Sequence, residues 1–262
     1  MIKLVVSDVD GTLREEGTGH EQPEVIEMVN KLADKGIVFA FASGRSYEGI
    51  VGTFPELENV AVFISNNGAC VTEKGKTIVS YEISRELVTE VVEYIRNVSG
   101  SSILVTTERY SYTESKDEEF IQWIIEGYRT DLQCVDDVLT DIHEPILKIA
   151  MFIKGVDAAT AQVEAKEKFD GRLSVMGAGR HWVDFIRDDV DKGNAVKELQ
   201  KKLNISSQET MTFGDNLNDI GLMKCAVHSF AVYNSRTETK EAAAEILPEG
   251  ENAVLDKLAE LL

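Results

Sequence analysis

Cysteine is scarce: three residues in 262, at Cys70, Cys134 and Cys225, odd in number and with no close pair. That spacing excludes a disulfide framework and a thiolate zinc site, and leaves buried single thiols as the expectation. The four histidines, His20, His143, His181 and His228, also lack metal-ligand spacing and are read as surface or satisfied core residues. Basic charge is in deficit, with 27 Lys and Arg against 46 Asp and Glu, a net of −19. A surface of that sign repels nucleic-acid phosphates and anionic membranes, and points to cations or small molecules as partners. No apolar run is long enough to span a bilayer, and the first residues enter a strand with no secretory pattern. A cytoplasmic protein is therefore expected. Internal repeats and low-complexity tracts are absent as well.

What is present begins at "KLVVSDVDGTL", residues 3 to 13. Lys3 to Val6 reads as a short β-branched strand of the kind that parallel sheets bury on both faces. Asp8 and Asp10 follow at its C-terminal end, closed by Gly11. "PEVIEMVNKLADKG" then has Pro23 at a helix start, Val25, Ile26, Val29 and Leu32 on one face, and Gly36 as a stop. "IVFAFASGR" is a second buried strand. A right-handed βαβ unit built from these pieces sets Asp8, Asp10 and Ser43 on one edge of a parallel sheet, where ligands of such sheets bind. "VAVFISNNGACV" is a third strand, with a turn expected at Asn66, Asn67 and Gly68.

From about Lys76 to Phe185 strands run in adjacent pairs between helices, which signals an α+β layer with an antiparallel sheet. Phe120 and Trp123 have helical spacing there and read as packing residues. The βα rhythm resumes with "KGNAVKELQKKLN", "TMTFGD" and "HSFAVYN". The fold class expected is α/β, a Rossmann-like doubly wound parallel sheet core, 1–80 with 190–262, carrying an inserted α+β cap domain over 81–189. A core with such an insert is expected to hinge near Ser80 and Asp189 and to close over a small substrate.

A second acidic group stands at "TFGDNLND", placing Asp215 and Asp219 where a strand turns into a helix. Carboxylates converging on one sheet edge repel one another, and a hard divalent cation with oxygen ligands, Mg2+ first among them, is the natural neutraliser. Ser43 and the backbone amides around Gly44 can hold an anion, and Lys192 adds an ammonium at a helix start. Together these make a phosphate pocket. Asp8 is placed to act as nucleophile and form an aspartyl phosphate; Asp10 can protonate the leaving oxygen and later activate water. Arg45 and Asn67 border the same turns, where they either face substrate or hold the turns together.

"DVDGT", "ASGR", "DKG" and "GDNLND", in this order and each after or at the start of the right element, resemble the four motifs of the haloacid dehalogenase superfamily. The insert is similar to the type IIB cap of its Cof-type hydrolases, and the likeness covers essentially the whole chain. The resemblance implies Asp8 as nucleophile and metal ligand, and Asp10 as acid and base with its main-chain carbonyl on Mg2+. It further implies Ser43 on the phosphoryl oxygens, Lys192 bridging nucleophile and phosphate, Asp215 on the metal, Asp219 orienting the metal or its waters, and Asn218 touching phosphate or Lys192. Ser43 stands where Thr is common and keeps the hydroxyl; Asn216 stands where a small residue is usual. Arg180, His181 and Trp182 fall on the cap, as a specificity surface or as cap core. The activity implied is Mg2+-dependent hydrolysis of small phosphate monoesters, sugar phosphates foremost, by a monomer or weak homo-oligomer. A phosphomutase using the same aspartyl phosphate is the nearest alternative; a phospho-receiver module and a non-catalytic small-molecule binder are the others.

Overall fold

In the computed structural model, which describes residues 1–14, 23–128, 130–153, 158–178, 181–250 and 252–262, the chain divides into two compact units. One comprises 1–79 with 191–262, the other 80–190. Arg180 and His20 lie outside the described residues. Among the described residues no helix is long and apolar enough to cross a membrane.

The first unit begins with β1 (Leu4–Ser7), α1 (Pro23–Asp34), β2 (Val38–Ala42), α2 (Tyr47–Val51), β3 (Val62–Ser65), β4 (Cys70–Glu73) and β5 (Lys76–Ser80). The inserted unit holds α3 (Arg85–Arg96), β6 (Ser101–Thr106), β7 (Ser111–Thr113), α4 (Glu118–Tyr128), β8 (Leu132–Cys134), α5 (Val138–Asp141), β9 (Lys148–Ile153), α6 (Ala158–Phe169), β10 (Leu173–Ala178) and β11 (Trp182–Arg187). The first unit then resumes with α7 (Lys192–Leu203), β12 (Thr210–Gly214), α8 (Ile220–Cys225), β13 (His228–Ala231), α9 (Thr237–Ala242), β14 (Glu245–Ile246) and α10 (Ala253–Ala259).

The core sheet runs β14-β13-β12-β1-β2-β3-β4-β5. Its central strands are apolar on both faces because both are covered. Val5, Phe39, Phe41, Phe63 and Phe213 pack with Val25, Val29 and Leu32 of α1 on one side. Leu4, Val6, Ala40, Ala42 and Ile64 pack with Val196 and Leu199 of α7 and Leu222 of α8 on the other. Burial of each such aliphatic side chain contributes on the order of 1.5–3 kcal/mol. In register, Ser7 lies beside Phe41 of β2 and Phe213 of β12, both parallel. The residues that follow these strands, Asp8, Ser43 and Asp215, therefore leave the sheet along one edge.

Two features depart from a purely parallel reading. The turn at Asn66 to Gly68 reverses the chain, so β4 returns antiparallel to β3, and β5 extends the core sheet, although the change to paired strands was read from about Lys76 as part of the α+β layer. A hairpin adds edge strands without a crossover helix, which is why no βα rhythm announces them. Gly68, at φ 102°, takes a backbone that a side chain would obstruct, since a Cβ there would stand 3.0 Å from Lys192 N and closer still to the Asp191 carbonyl.

The inserted unit is a six-stranded sheet, β10-β11-β9-β6-β7-β8, antiparallel except for the β7–β8 pair. Val88, Val91, Val92 and Ile95 of α3 and Ala165 and Phe169 of α6 cover one face. Phe120 and Ile124 of α4 pack on Ala150 and Trp182, so Trp182 is a core residue of this unit. Trp123 stacks on Trp182 at 5.9 Å between ring centroids while staying 42% exposed. Cys70 and Cys225 are buried, but Cys134 is exposed, contrary to the expectation for all three thiols. It ends β8, an edge strand with solvent on its outer side, whose short length left no periodic signal.

Candidate active site

The site is assembled where β1, β2, β3 and β12 end. Asp8 leaves β1 with its backbone N–H donating to the Phe213 carbonyl at 3.0 Å, which ties the end of the first strand to that of β12. The turn Val9 to Arg14 closes on itself, with Leu13 N–H and Arg14 N–H both donating to the Val9 carbonyl. Gly11, at φ 94°, makes room for the second acidic turn, since a Cβ here would fall 2.6 Å from Asp215 Oδ2. Thr12 Oγ1 then donates to Asp215 Oδ1 at 2.9 Å.

Lys192 enters at the first turn of α7, a helix capped by Asp191, whose side chain accepts from Asn194 N–H at 2.9 Å. The Lys192 side chain is wholly buried, and Nζ donates to Asp8 Oδ1 at 2.5 Å and to Asp219 Oδ1 at 2.7 Å. Asp219 Oδ2 accepts the N–H groups of Asp215 and Asn216, each at 3.0 Å. Asn216 caps the same short turn by accepting from Leu217 N–H, which accounts for an Asn where a small residue was expected. Asp8, Asp215 and Asp219 each present an oxygen, all within 4.8 Å of one another.

Electrostatics follow from three carboxylates sharing one ammonium. Burial alone would push the Lys192 ammonium down, but Asp219 and Asp8 outweigh it and hold it above its ordinary value, so it stays charged. Burial pushes the Asp8 carboxyl up, opposed by Lys192 and reinforced by Asp219 and Asp215. Asp215 is pushed up to about 6 by burial and by the Asp219 charge. Asp8 Oδ2 is buried and has no hydrogen-bond partner among the described residues. A surplus of negative charge on hard oxygen donors, with one buried donor left unsatisfied, fits a divalent cation.

The raised Asp215 value has a sign that can be tested. A carboxyl that holds its proton more tightly folded than unfolded contributes stability at low pH and loses it as pH rises through the folded value. With chelator present, the wild-type protein is expected to lose stability between about pH 4 and about pH 6 relative to an Asp215→Asn protein. Urea unfolding of both across that range checks it; parallel profiles would contradict it.

The remaining expected site residues divide. Ser43 is buried, its Oγ accepting from Arg45 N–H at 3.1 Å, and Gly44 lies under the Asn67 amide, 3.1 Å from its Oδ1 if a Cβ is built. Asn218 does not reach Lys192; its amide donates to Asn67 Oδ1 at 2.9 Å, tying the two turns. Arg45 forks onto the Asp10 carboxylate, Nε to Oδ2 at 2.6 Å and Nη2 to Oδ1 at 2.8 Å. Arg14 Nε adds a contact at 3.7 Å. The Asp10 side chain thus faces two guanidinium groups and does not join the three-carboxylate cluster. Sequence reasoning did not single out Thr12 or Arg14; Thr12 stood inside the quoted "DVDGT", while nothing in the sequence marked Arg14.

Comparison with known proteins gives the family. The family model of haloacid dehalogenase-like hydrolases matches residues 5–258, and the chain belongs to that family. It is 27% identical over 242 residues to the 5-amino-6-(5-phospho-D-ribitylamino)uracil phosphatase YbjI of Escherichia coli, covering 92% of this chain and 89% of that protein. It is 24% identical to the phosphatase YwpJ of Bacillus subtilis, with both chains covered in full. Among solved structures, one from Eubacterium rectale superimposes with a TM-score of 0.88 at 26% identity, covering 100% of this chain and 99% of that one. A haloacid dehalogenase-like hydrolase from Bacteroides thetaiotaomicron gives 0.88 at 23% identity, with both chains covered in full, a likeness of fold. The Cof-type membership and the α/β class expected from the motifs both hold. Within that family the chain is a phosphoric monoester hydrolase.

Proposed function

We propose that the chain is a Mg2+-dependent phosphatase of small phosphate monoesters, sugar phosphates foremost, acting through an aspartyl phosphate on Asp8. The observation that carries this reading is the buried Lys192 ammonium held at 2.5 Å from Asp8 Oδ1 while Asp8 Oδ2 is left without a hydrogen-bond partner among the described residues. One oxygen of the carboxylate is thus anchored and the other is free to attack phosphorus. Asp8 and Asp215 would hold the cation, which when bound supplies positive charge to the phosphoryl oxygens. Asp219, with both oxygens engaged, fixes Lys192 and the turn that presents Asp215, and so acts on the cation site from behind.

In the first step the Asp8 oxygen bonds to phosphorus as the ester P–O bond breaks, and Asp10 gives its proton to the departing oxygen. In the second, Asp10 takes a proton from water, the water oxygen bonds to phosphorus, and the acyl phosphate P–O bond breaks to release inorganic phosphate and regenerate Asp8. Ser43 Oγ, the Gly44 amide and Lys192 hold phosphoryl oxygens. Arg45 holds both oxygens of the Asp10 carboxylate apart from the cation cluster, so one of them has to leave that fork to pass a proton; Asn67 and Asn218 brace the loops that carry Gly44 and Asp215. The relative YbjI is named for an ester whose phosphate sits on a ribityl chain, and a polyol phosphate suits this site.

A screen of phosphate esters with and without Mg2+ tests the reading, the expected result being phosphate release that chelator abolishes. Release unaffected by chelator would remove it. An Asp10→Ala protein is expected to lose turnover by about 10²–10⁴-fold while KM changes little, because acid and base catalysis is withdrawn and phosphate contacts remain. Steady-state rates on the best ester check this; equal turnover would refute the role of Asp10.

A further inference from the structure

A cleft of about 400 Å³ opens in the inserted unit, where the segment leading into α3 runs beside the segment leading into β9. Ile83 N–H donates to the Ile146 carbonyl at 2.8 Å and holds the two segments together. Ile83, Val88, Ile142 and Ile146, all buried, form an apolar floor. The exposed residues Glu82, Arg85 and Glu144 line the same cleft and supply its charged rim. An apolar floor of this size under a few fixed polar groups is the form that small-molecule sites take.

The rim charges are held in place and yet do not meet. Arg85 Nη2 donates to the Leu139 carbonyl and to the Ile142 carbonyl, the latter at 3.1 Å. That anchors the guanidinium and leaves the N–H groups of Nε and Nη1 unengaged among the described residues. Glu144 Oε1 accepts from the Tyr112 hydroxyl at 2.8 Å. Burial pushes the Glu144 carboxyl up, but hydrogen bonds from its own N–H, from Tyr112 and from the His143 N–H outweigh it and hold the carboxyl below its ordinary value, so it is ionised at neutral pH. Neither Glu82, Arg85 nor Glu144 forms an ion pair with any described residue. Opposite charges that line one cleft without pairing suit a ligand that carries both. A simple anion would meet Glu82 and Glu144, and a simple cation would meet Arg85. A dipolar molecule with an apolar tail matches the floor and both signs at the rim.

We propose that this cleft binds a free α-amino acid with a branched apolar side chain, its carboxylate on Arg85, its ammonium on Glu144 with Glu82 beside it, and its side chain on the floor of Ile83, Val88, Ile142 and Ile146. The site belongs wholly to the inserted unit and shares no residue with the Asp8, Asp215 and Asp219 cluster. The assignment is independent of the phosphatase reading. Isothermal titration of the full chain with L-leucine tests it, set against isocaproate, which lacks the ammonium, and isoamylamine, which lacks the carboxylate. The same three compounds are titrated into Glu144→Gln, which keeps an acceptor for Tyr112, and into Arg85→Gln, which keeps a donor for the carbonyls, with thermal melting alongside.

Leucine is expected to bind wild type with a dissociation constant of about 1 mM or tighter, and each single-charge analogue roughly tenfold more weakly, the effect of one lost charged contact. Glu144→Gln is expected to weaken leucine roughly tenfold and leave isocaproate unchanged; Arg85→Gln is expected to weaken leucine equally and leave isoamylamine unchanged. No saturable binding of leucine at concentrations up to about tenfold above that constant would overturn the proposal. So would leucine binding no tighter than its two analogues, or affinities within about twofold of wild type in the folded variants. Should Arg85→Gln melt below the assay temperature, Glu144→Gln decides the matter alone.

Discussion

Asp8→Asn is expected to reduce phosphate release by at least about 10⁴-fold, the scale on which loss of a covalent nucleophile is felt, while the protein stays folded. The amide keeps the shape of the carboxyl and can still accept the Lys192 hydrogen bond, now 2.5 Å long, through its oxygen. It cannot displace an alkoxide from phosphorus. The fold should tolerate the change for an electrostatic reason. Burial and the neighbouring Asp219 and Asp215 charges work against an ionised Asp8, so a neutral side chain removes repulsion from a cluster where three carboxylates share one ammonium. In chelator the variant's melting temperature is therefore expected to be no lower than that of wild type. Phosphate release and circular dichroism melts on the same preparation measure both halves; residual turnover within tenfold of wild type would end the nucleophile assignment.

The opposite sign is expected for Lys192→Met, which keeps the length and helix preference of the side chain but takes the ammonium away. Asp8 and Asp219 are then left buried with no counter-charge, and breaking a buried pair from one side costs about 3–5 kcal/mol. The loss should be largest at neutral pH in chelator. It should shrink as the pH is lowered and the stranded carboxyls take up protons, and shrink again on adding Mg2+. Urea unfolding at two pH values, with and without the cation, reads all three effects. A variant as stable as wild type at neutral pH in chelator would show that Lys192 is not what balances the cluster. Turnover is expected to fall as well, since the same ammonium offsets charge between nucleophile and phosphoryl group.

The contrast between these two variants marks where reading residues in order reaches its limit. Asp8, Lys192 and Asp215 each follow a buried strand or open a helix, and strand ends in a parallel sheet share an edge; that these three stand on one edge could be read without coordinates. Cooperation within the cluster could not. That Asp219 would spend one oxygen on Lys192 and the other on two backbone amides depends on how a short capped turn presents its carboxylate. That Arg45 would fork onto Asp10, and Asn218 onto Asn67, depends on loops meeting across more than thirty and one hundred and fifty residues of chain, 35 and 151 in sequence separation. Contacts of that range carry no local period or spacing to detect.

The chain by itself determined that strands and helices alternate, that acids stand at the ends of apolar strands, and that an α+β segment interrupts the alternation. Apolar periodicity and turn chemistry act over a few residues and are legible in order. Only the tertiary structure decided the hairpin edge of the core sheet, the exposure of Cys134, the pairing of each polar side chain and the meeting of Arg85 and Glu144 at one cleft. Those outcomes are set by which surfaces press together and by how little room water leaves between them. A buried polar atom acquires its partner, or lacks one, only when the whole chain has closed around it.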